Sequence, residues 1–259
     1  MTASVSLPIF VLREVSIVTS VQSIKNNFQR ARELVEDVLN SCGESGRTVK
    51  IMAVTKTHPV ELVRDTIEAG ITLIGENRVS EGGRKVKELG KNAAEFHMIG
   101  PLHTKEVRQA VRDFHWIDSI GRLKIAGEIA RKTVSRGKEQ PGILLEVNTS
   151  GEGTKHGFSP DYHLLEDVLG EIREIGLHVS GLLTVGPLGG SELDTSKAFA
   201  LLRKLRDRLE DGCGYDLPDL SMGMSDDFQL AVAEGATIVR LGRYIFGPRQ
   251  AAWDGISFK

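Results

Sequence analysis

The stretch that decides the fold runs Val49-Lys50-Ile51-Met52-Ala53-Val54-Thr55-Lys56 and is followed by Thr57-His58-Pro59. Val49, Ile51 and Val54 are β-branched and the run is short and apolar, which predicts a strand ending near Lys56. Pro59 has a fixed φ and no N–H to donate, so it suits the first turn of a helix, here running through Ala69. The same grammar then repeats along the chain. Apolar runs at Ile71–Ile74, Phe96–Ile99, His115–Ile117, Ile143–Val147, Val179–Val185, Leu220–Met222 and Thr237–Leu241 each stop at a glycine or a polar residue. With the first run they make eight predicted strands. Helical patterns separate them at about Arg78–Leu89, Lys105–Arg112, Leu123–Ser135, Tyr162–Ile175, Thr195–Leu209 and Asp226–Glu234, and a further amphipathic helix, Val21–Leu39, precedes them all.

Strands that are apolar throughout are buried on both faces, and eight of them alternating with helices meet the requirement of a closed parallel barrel. The competing architecture is a doubly wound open sheet, but no Gly-x-Gly-x-x-Gly follows the first strand. The expectation is therefore an α/β fold, a single (β/α)8 TIM barrel with an additional N-terminal helix. Its 259 residues suit one large domain, since such barrels run to about 250 residues without dividing. Residues 21–259 are expected to form that domain. Residues 1–20 are expected to be a poorly ordered extension, because Arg13 and Glu14 interrupt the apolar patch at Pro8–Leu12 and no cleavage pattern follows.

Composition excludes several classes of function. The 33 basic and 35 acidic residues give a net charge of −2 and are scattered along the chain, so no basic face for nucleic acid or an anionic membrane is predicted. No apolar run approaches the roughly 20 residues of a membrane span. Cys42 and Cys213 are far apart and lack a partner at metal-ligand spacing, which predicts no metal site and a reducing, cytoplasmic setting.

In such a barrel the chemistry belongs at the C-terminal ends of the strands. Lys56 closes the first strand: in the mouth its amine would lose hydration and act as a Schiff-base nucleophile, whereas just beyond the strand it would snorkel to solvent. Ser221-Met222-Gly223-Met224-Ser225 joins the seventh strand to the helix expected from Asp226, so Ser225 reads either as an ordinary N-cap or as part of an anion site. Gly242 and Arg243 follow the eighth strand, in the second of the two loops where such barrels hold phosphate. Arg240, inside that strand, needs a partner, either within the barrel or in the helix layer.

Together, Ala53-Val54-Thr55-Lys56, Gly75-Glu76-Asn77, Phe96-His97-Met98-Ile99-Gly100-Pro101-Leu102, Val147-Asn148, Gly181-Leu182-Leu183, Leu220-Ser221-Met222-Gly223-Met224-Ser225-Asp226-Asp227 and Val239-Arg240-Leu241-Gly242 with Ile245-Phe246-Gly247 resemble the pyridoxal phosphate homeostasis protein family, from about residue 21 to 249. The resemblance implies a barrel like the N-terminal domain of alanine racemase, with pyridoxal 5′-phosphate held as a Schiff base on Lys56. It implies phosphate contacts at Ser225, Gly242 and nearby backbone N–H groups, with Ser221 and Arg243 in the same contact set. Arg240 would face the pyridine nitrogen, and Asn77 and His97 would line the ring pocket. The chain departs from the family pattern at His103–Glu106, where relatives carry Gln, any residue, Asn and Lys, and at Arg243, where threonine is usual.

The function so implied is intracellular homeostasis of the cofactor by binding, protection and delivery, with transient contacts to pyridoxal-dependent apoenzymes and a monomeric state. No catalytic residue is assigned, because a racemase needs acid–base groups on both faces of the substrate carbanion and the barrel fills the chain, leaving no second domain to supply the other base. The alternatives are a pyridoxal-dependent racemase of low activity and a Schiff-base aldolase acting on a sugar phosphate.

Overall fold

The computed structural model describes residues 20–134, 137, 139–153 and 155–248. The extension expected over residues 1–20 lies, apart from Ser20, outside these residues, as does the stretch from 249 to 259. The Ser20 hydroxyl accepts the Ser23 N–H at 3.2 Å and starts α1, Val21–Ser41. Ile24, Ala31, Val35 and Leu39 are its buried positions, spaced to share one face.

Eight βα units follow: β1 Lys50–Val54 with α2 Val60–Glu68, β2 Leu73–Glu76 with α3 Val79–Leu89, β3 Glu95–Met98 with α4 Val107–Asp113, and β4 Trp116–Ile120 with α5 Leu123–Lys132. The second half adds β5 Gly142–Glu146 with α6 Tyr162–Glu174, β6 Gly181–Leu183 with α7 Glu192–Cys213, β7 Asp219–Met224 with α8 Phe228–Ala233, and β8 Ile238–Leu241 with α9 Arg243–Phe246. All strand pairings are parallel and the sheet closes on itself, with Met52 beside Arg240 and Ala53 beside Leu241 where β1 meets β8. The expected (β/α)8 barrel is the fold.

Strand alternation divides the barrel into two compartments. Ile51, Ala53, Leu145, Leu182, Val239 and Leu241 point outward into the continuous apolar layer beneath the helices. Met52, Leu144, Leu183 and Ile238 are equally buried but alternate with these and fill the interior.

The N-terminal helix has a more definite place than an added element. The eighth unit ends in the single turn of α9, too short to cover the outer faces of β8 and β1. α1 lies against α2, α8 and α9 and occupies that position, with the Asn27 amide donating to the Ile245 carbonyl at 2.9 Å.

Several boundaries differ from expectation for identifiable reasons. β2 begins two residues later than predicted and takes in Gly75 and Glu76: a Cβ on Gly75 would lie 2.6 Å from the Met52 sulfur, so the glycine is a small interior residue and not a strand terminator. α7 starts three residues earlier than predicted, because Ser191 and Asp194 form a capping box. α8 starts at Phe228, not Asp226, since β7 runs on to Met224 through a register shift that carries Gly223 at φ +90°. A Cβ there would also lie 2.5 Å from that of Ala231, so this position requires glycine.

Because α1 seals the seam of the barrel, Ile24→Ala is expected to cost about 2–5 kcal/mol in unfolding free energy, the range for a truncation in a packed core. Denaturant titration checks this. A cost near zero would mean that α1 is dispensable.

Candidate functional site

The end of β1 turns sharply. The Thr55 carbonyl accepts the His58 N–H at 3.1 Å, closing a four-residue turn, and Thr57 in its third position has φ 67°. A type II turn needs positive φ there and ordinarily takes glycine, so a β-branched threonine is strained. Lys56 lies in this turn, half-buried. It lines a cavity of about 330 Å³ at the C-terminal mouth of the barrel together with Asn77, Ile99, Ser225, Asp227, Arg240, Gly242 and Arg243. Asn77 follows β2, the neighbour of β1, and its carbonyl lies where a Cβ on Gly100 would stand, so the bare glycine after β3 lets the two loops approach.

Of the two readings open for Ser225, the ordinary N-cap does not hold. With α8 starting at Phe228, its hydroxyl accepts the backbone N–H groups of Gly242 at 3.3 Å and Tyr244 at 3.1 Å, joining the loops after β7 and β8. Two N–H groups thus converge on one hydroxyl at an edge of the mouth, where a phosphate oxygen would take the place of the hydroxyl oxygen as their acceptor. Arg243 lies on the exposed rim, its guanidinium hydrogen-bonded to the Asp226 carboxylate.

Arg240 points into the barrel, deciding the alternative left open by the sequence. It is fully buried; Nη1 donates to Ser221 Oγ at 2.9 Å and Nη2 to the Thr184 carbonyl at 2.7 Å. Burial lowers its pKa, opposed by the charges of Asp118, Asp227 and Glu146. Burial in turn pushes the Glu146 and Asp227 carboxyls up, with Arg240 pulling both back. Ser221, fully buried, does not line the mouth; it holds the guanidinium that does.

His97 does not line the cavity either. It lies deeper between β3 and β4, stacked on Trp116 with ring centroids 5.3 Å apart. Nδ1 meets the Asp118 carboxylate at 2.9 Å and Nε2 meets Glu95 Oε1 at 3.0 Å. Burial opposes its charge, but Asp118 and Glu95 outweigh burial and push its pKa up to about 9.

Sequence reasoning missed a cluster behind Lys56. On the outer face of the sheet, buried Lys85 of α3 donates to Glu76 Oε1 at 2.7 Å, to Glu81 Oε1 at 2.8 Å and to the Thr55 carbonyl at 2.7 Å. Glu81 also accepts the Thr57 N–H at 2.6 Å. The only signal in the chain was the Glu81/Lys85 spacing of four, which also reads as a solvent-facing helix pair.

A pyridoxal phosphate homeostasis protein of Aquifex aeolicus is 36% identical over 229 residues, covering 87% of this chain and 99% of that one. The chain belongs to the pyridoxal phosphate homeostasis protein family. The family member of Escherichia coli K12 is 32% identical over 238 residues, 88% of this chain and 98% of its own. No family model matches the chain. Among solved structures, PipY of Synechococcus elongatus with PLP bound is 30% identical, with a TM-score of 0.74 over 86% of this chain and all of that one. Alanine racemase of Clostridium difficile is 18% identical, with a TM-score of 0.68 over 90% of this chain and 58% of the racemase, a likeness of fold. In this homeostasis-family barrel, Lys56, Asn77, Ser225, Arg240, Gly242 and Arg243 meet at one mouth, and no helix among the described residues is long and apolar enough to cross a membrane.

His97 supplies a pH test. It is charged in the fold up to about pH 9 but in the unfolded chain only up to about 6.5. Its stabilisation is therefore complete below pH 6.5 and fades as pH rises through 9. In ligand-free protein this fading should amount to about 3 kcal/mol, and Asp118→Asn should lose most of it. Identical pH slopes for the two proteins, measured by urea unfolding, would refute the pairing.

Proposed function

We propose that the protein binds pyridoxal 5′-phosphate covalently through Lys56, then holds, protects and delivers it in the intracellular homeostasis of the cofactor, without catalysis of its own. The observation that carries this reading is the meeting of three chemistries in one mouth: the Lys56 amine, the buried Arg240 guanidinium, and the hydroxyl of Ser225 with the N–H groups of Gly242 and Tyr244. The names of the relatives and the PLP-bound neighbour support the choice of ligand.

The residues fit the cofactor. Ser225, Gly242 and the Tyr244 N–H would hold the phosphate, with Arg243 able to turn from Asp226 toward it, and Asn77 would border the ring. The bound cofactor supplies an aldehyde carbon and an electron-withdrawing ring. Lys56 Nζ would be the nucleophile that holds the cofactor covalently at that carbon. Arg240, fixed by Ser221 and the Thr184 carbonyl, would face the ring nitrogen. A guanidinium donates a hydrogen bond but does not give up its proton, so the ring remains a weak electron sink compared with one paired to a carboxylic acid. This supports retention of the cofactor over its use in carbanion chemistry.

The same reading takes residues 21–259 as one binding domain acting as a cytoplasmic monomer that meets apoenzymes transiently. His97 and Ser221 act at one remove: Ser221 seats Arg240, and His97 balances Asp118, which faces it.

The expected outcome is a visible absorbance band when the protein is mixed with pyridoxal 5′-phosphate, absent in Lys56→Ala, and a pyridoxyl mass on Lys56 after borohydride reduction. A colourless wild-type protein in excess cofactor would overturn the proposal. Exchange of amino-acid α-protons in deuterated water above the rate with free cofactor would overturn the absence of catalysis.

A further inference from the structure

Lys56 is the residue on which the proposed function rests, and the turn that carries it has an unusual shape. That turn holds Thr57 at φ 67°, a conformation that a β-branched residue adopts only when its surroundings compel it. Two contacts that hold it come from outside the barrel. Glu81 Oε1 accepts the Thr57 N–H, fixing the peptide that follows Lys56, while Lys85 Nζ donates to the Thr55 carbonyl, fixing the residue before it. Lys85 also joins Glu81 to Glu76 at the end of β2, and the Thr55 hydroxyl donates to Glu76 as well. The turn is thereby tied to α3 and to the neighbouring strand, and on its other side the His58 ring packs on Phe246 of α9 with centroids 5.1 Å apart.

This cluster is costly to bury. Lys85 is 4% exposed and Glu76 is fully buried; one ammonium faces two carboxylates, and Glu76 Oε2 has no hydrogen-bond partner. Packing alone would be served better by apolar side chains of similar volume. What the charged groups add is direction: three donors on one nitrogen reach two carboxylates and a carbonyl and so fix where that carbonyl stands.

We infer that Lys85 and Glu81 are positioning residues: with Glu76 they clamp the Thr55–His58 turn in its strained form and so aim the Lys56 amine into the mouth. The inference deepens the proposed function and rests on it only for the identity of the aldehyde. Without the clamp the Thr57 peptide relaxes to negative φ, and the Lys56 side chain swings toward solvent.

The test uses two aldehydes of different size on full-length, ligand-free protein, both read by mass mapping of Lys56 after cyanoborohydride reduction. In each case the amine attacks the carbonyl carbon, water leaves, and hydride from the reductant converts the C=N bond to an amine. Formaldehyde needs only an accessible amine; pyridoxal 5′-phosphate needs one aimed at the bound ring. Glu81→Ala should slow modification by pyridoxal 5′-phosphate about tenfold and speed modification by formaldehyde. Adding Thr57→Gly, which makes positive φ free of strain, should restore most of the lost rate with pyridoxal 5′-phosphate. The Thr57 amide, protected from hydrogen exchange in the wild type, should exchange freely in Glu81→Ala. Lys85→Met should behave like Glu81→Ala; since it strands Glu76 in the core, Glu81→Ala decides the matter if Lys85→Met does not fold.

A purely structural role predicts a lower Tm for Glu81→Ala with unchanged rates for both aldehydes and no rescue by glycine, and that result would overturn the clamp. If wild-type Lys56 took formaldehyde but not pyridoxal 5′-phosphate, the proposed function would fall, and the clamp would still be judged by formaldehyde and amide exchange.

Discussion

A guanidinium inside a closed barrel has to be answered by charge and hydrogen bonds, and much of the polar interior follows from that requirement. Arg240 stands on β8, beside Met52 of β1, with only 4% of its surface exposed, so most of its hydration is lost. Ser221 and the Thr184 carbonyl satisfy two of its nitrogens, and Asp118, Glu146 and Asp227 supply negative potential from β4, β5 and the loop after β7. Asp118 in turn draws a proton onto His97, which spreads the charge to Glu95 at the far end of β3. One cation at the mouth is thus coupled to a chain of ionisable groups through the barrel wall, and the apolar interior residues Met52, Leu144, Leu183 and Ile238 pack around that chain instead of filling the barrel by themselves.

The two faces of the sheet divide the labour at the site. The inner face provides what a ligand would touch: Arg240, Asn77 and the edge made by Ser225 and Gly242. The outer face, through Glu76 and Lys85, controls the backbone that presents Lys56. The Gly75-Glu76-Asn77 run shows the division within three residues, with Gly75 giving space to Met52, Glu76 turning out to Lys85 and Asn77 reaching the mouth. Strand alternation alone produces this arrangement.

That alternation also explains what could be read from the chain. The eight strands were legible because each is buried on both faces and therefore apolar along its length, and Lys56, Ser225, Arg240 and Gly242 were legible because barrels place chemistry at strand ends. Of the two readings open for Ser225, the N-cap falls away because an irregular register in β7 moves the helix start by two residues, and nothing in Met224-Ser225-Asp226-Asp227 marks the difference between a cap and a bridge to the next loop. His97 belonged to the ring pocket only by the family resemblance; the deciding fact, a carboxylate on either side, is a tertiary one. Lys85 was invisible for the opposite reason. On a helix, a lysine four residues after a glutamate has the pattern of an exposed pair, and only the proximity of Glu76 and Thr55 turns it inward.

The place of α1 sets the order of events during synthesis against the order of assembly. Among the described elements α1 precedes every strand, yet the seam it covers includes β8, the last strand of the barrel, so its apolar stripe of Ile24, Ala31, Val35 and Leu39 stays without its final cover until β8 has been made. Closure of the barrel and burial of this stripe are therefore one late event, and until it happens the nascent chain carries an amphipathic helix whose sticky side a chaperone could recognise.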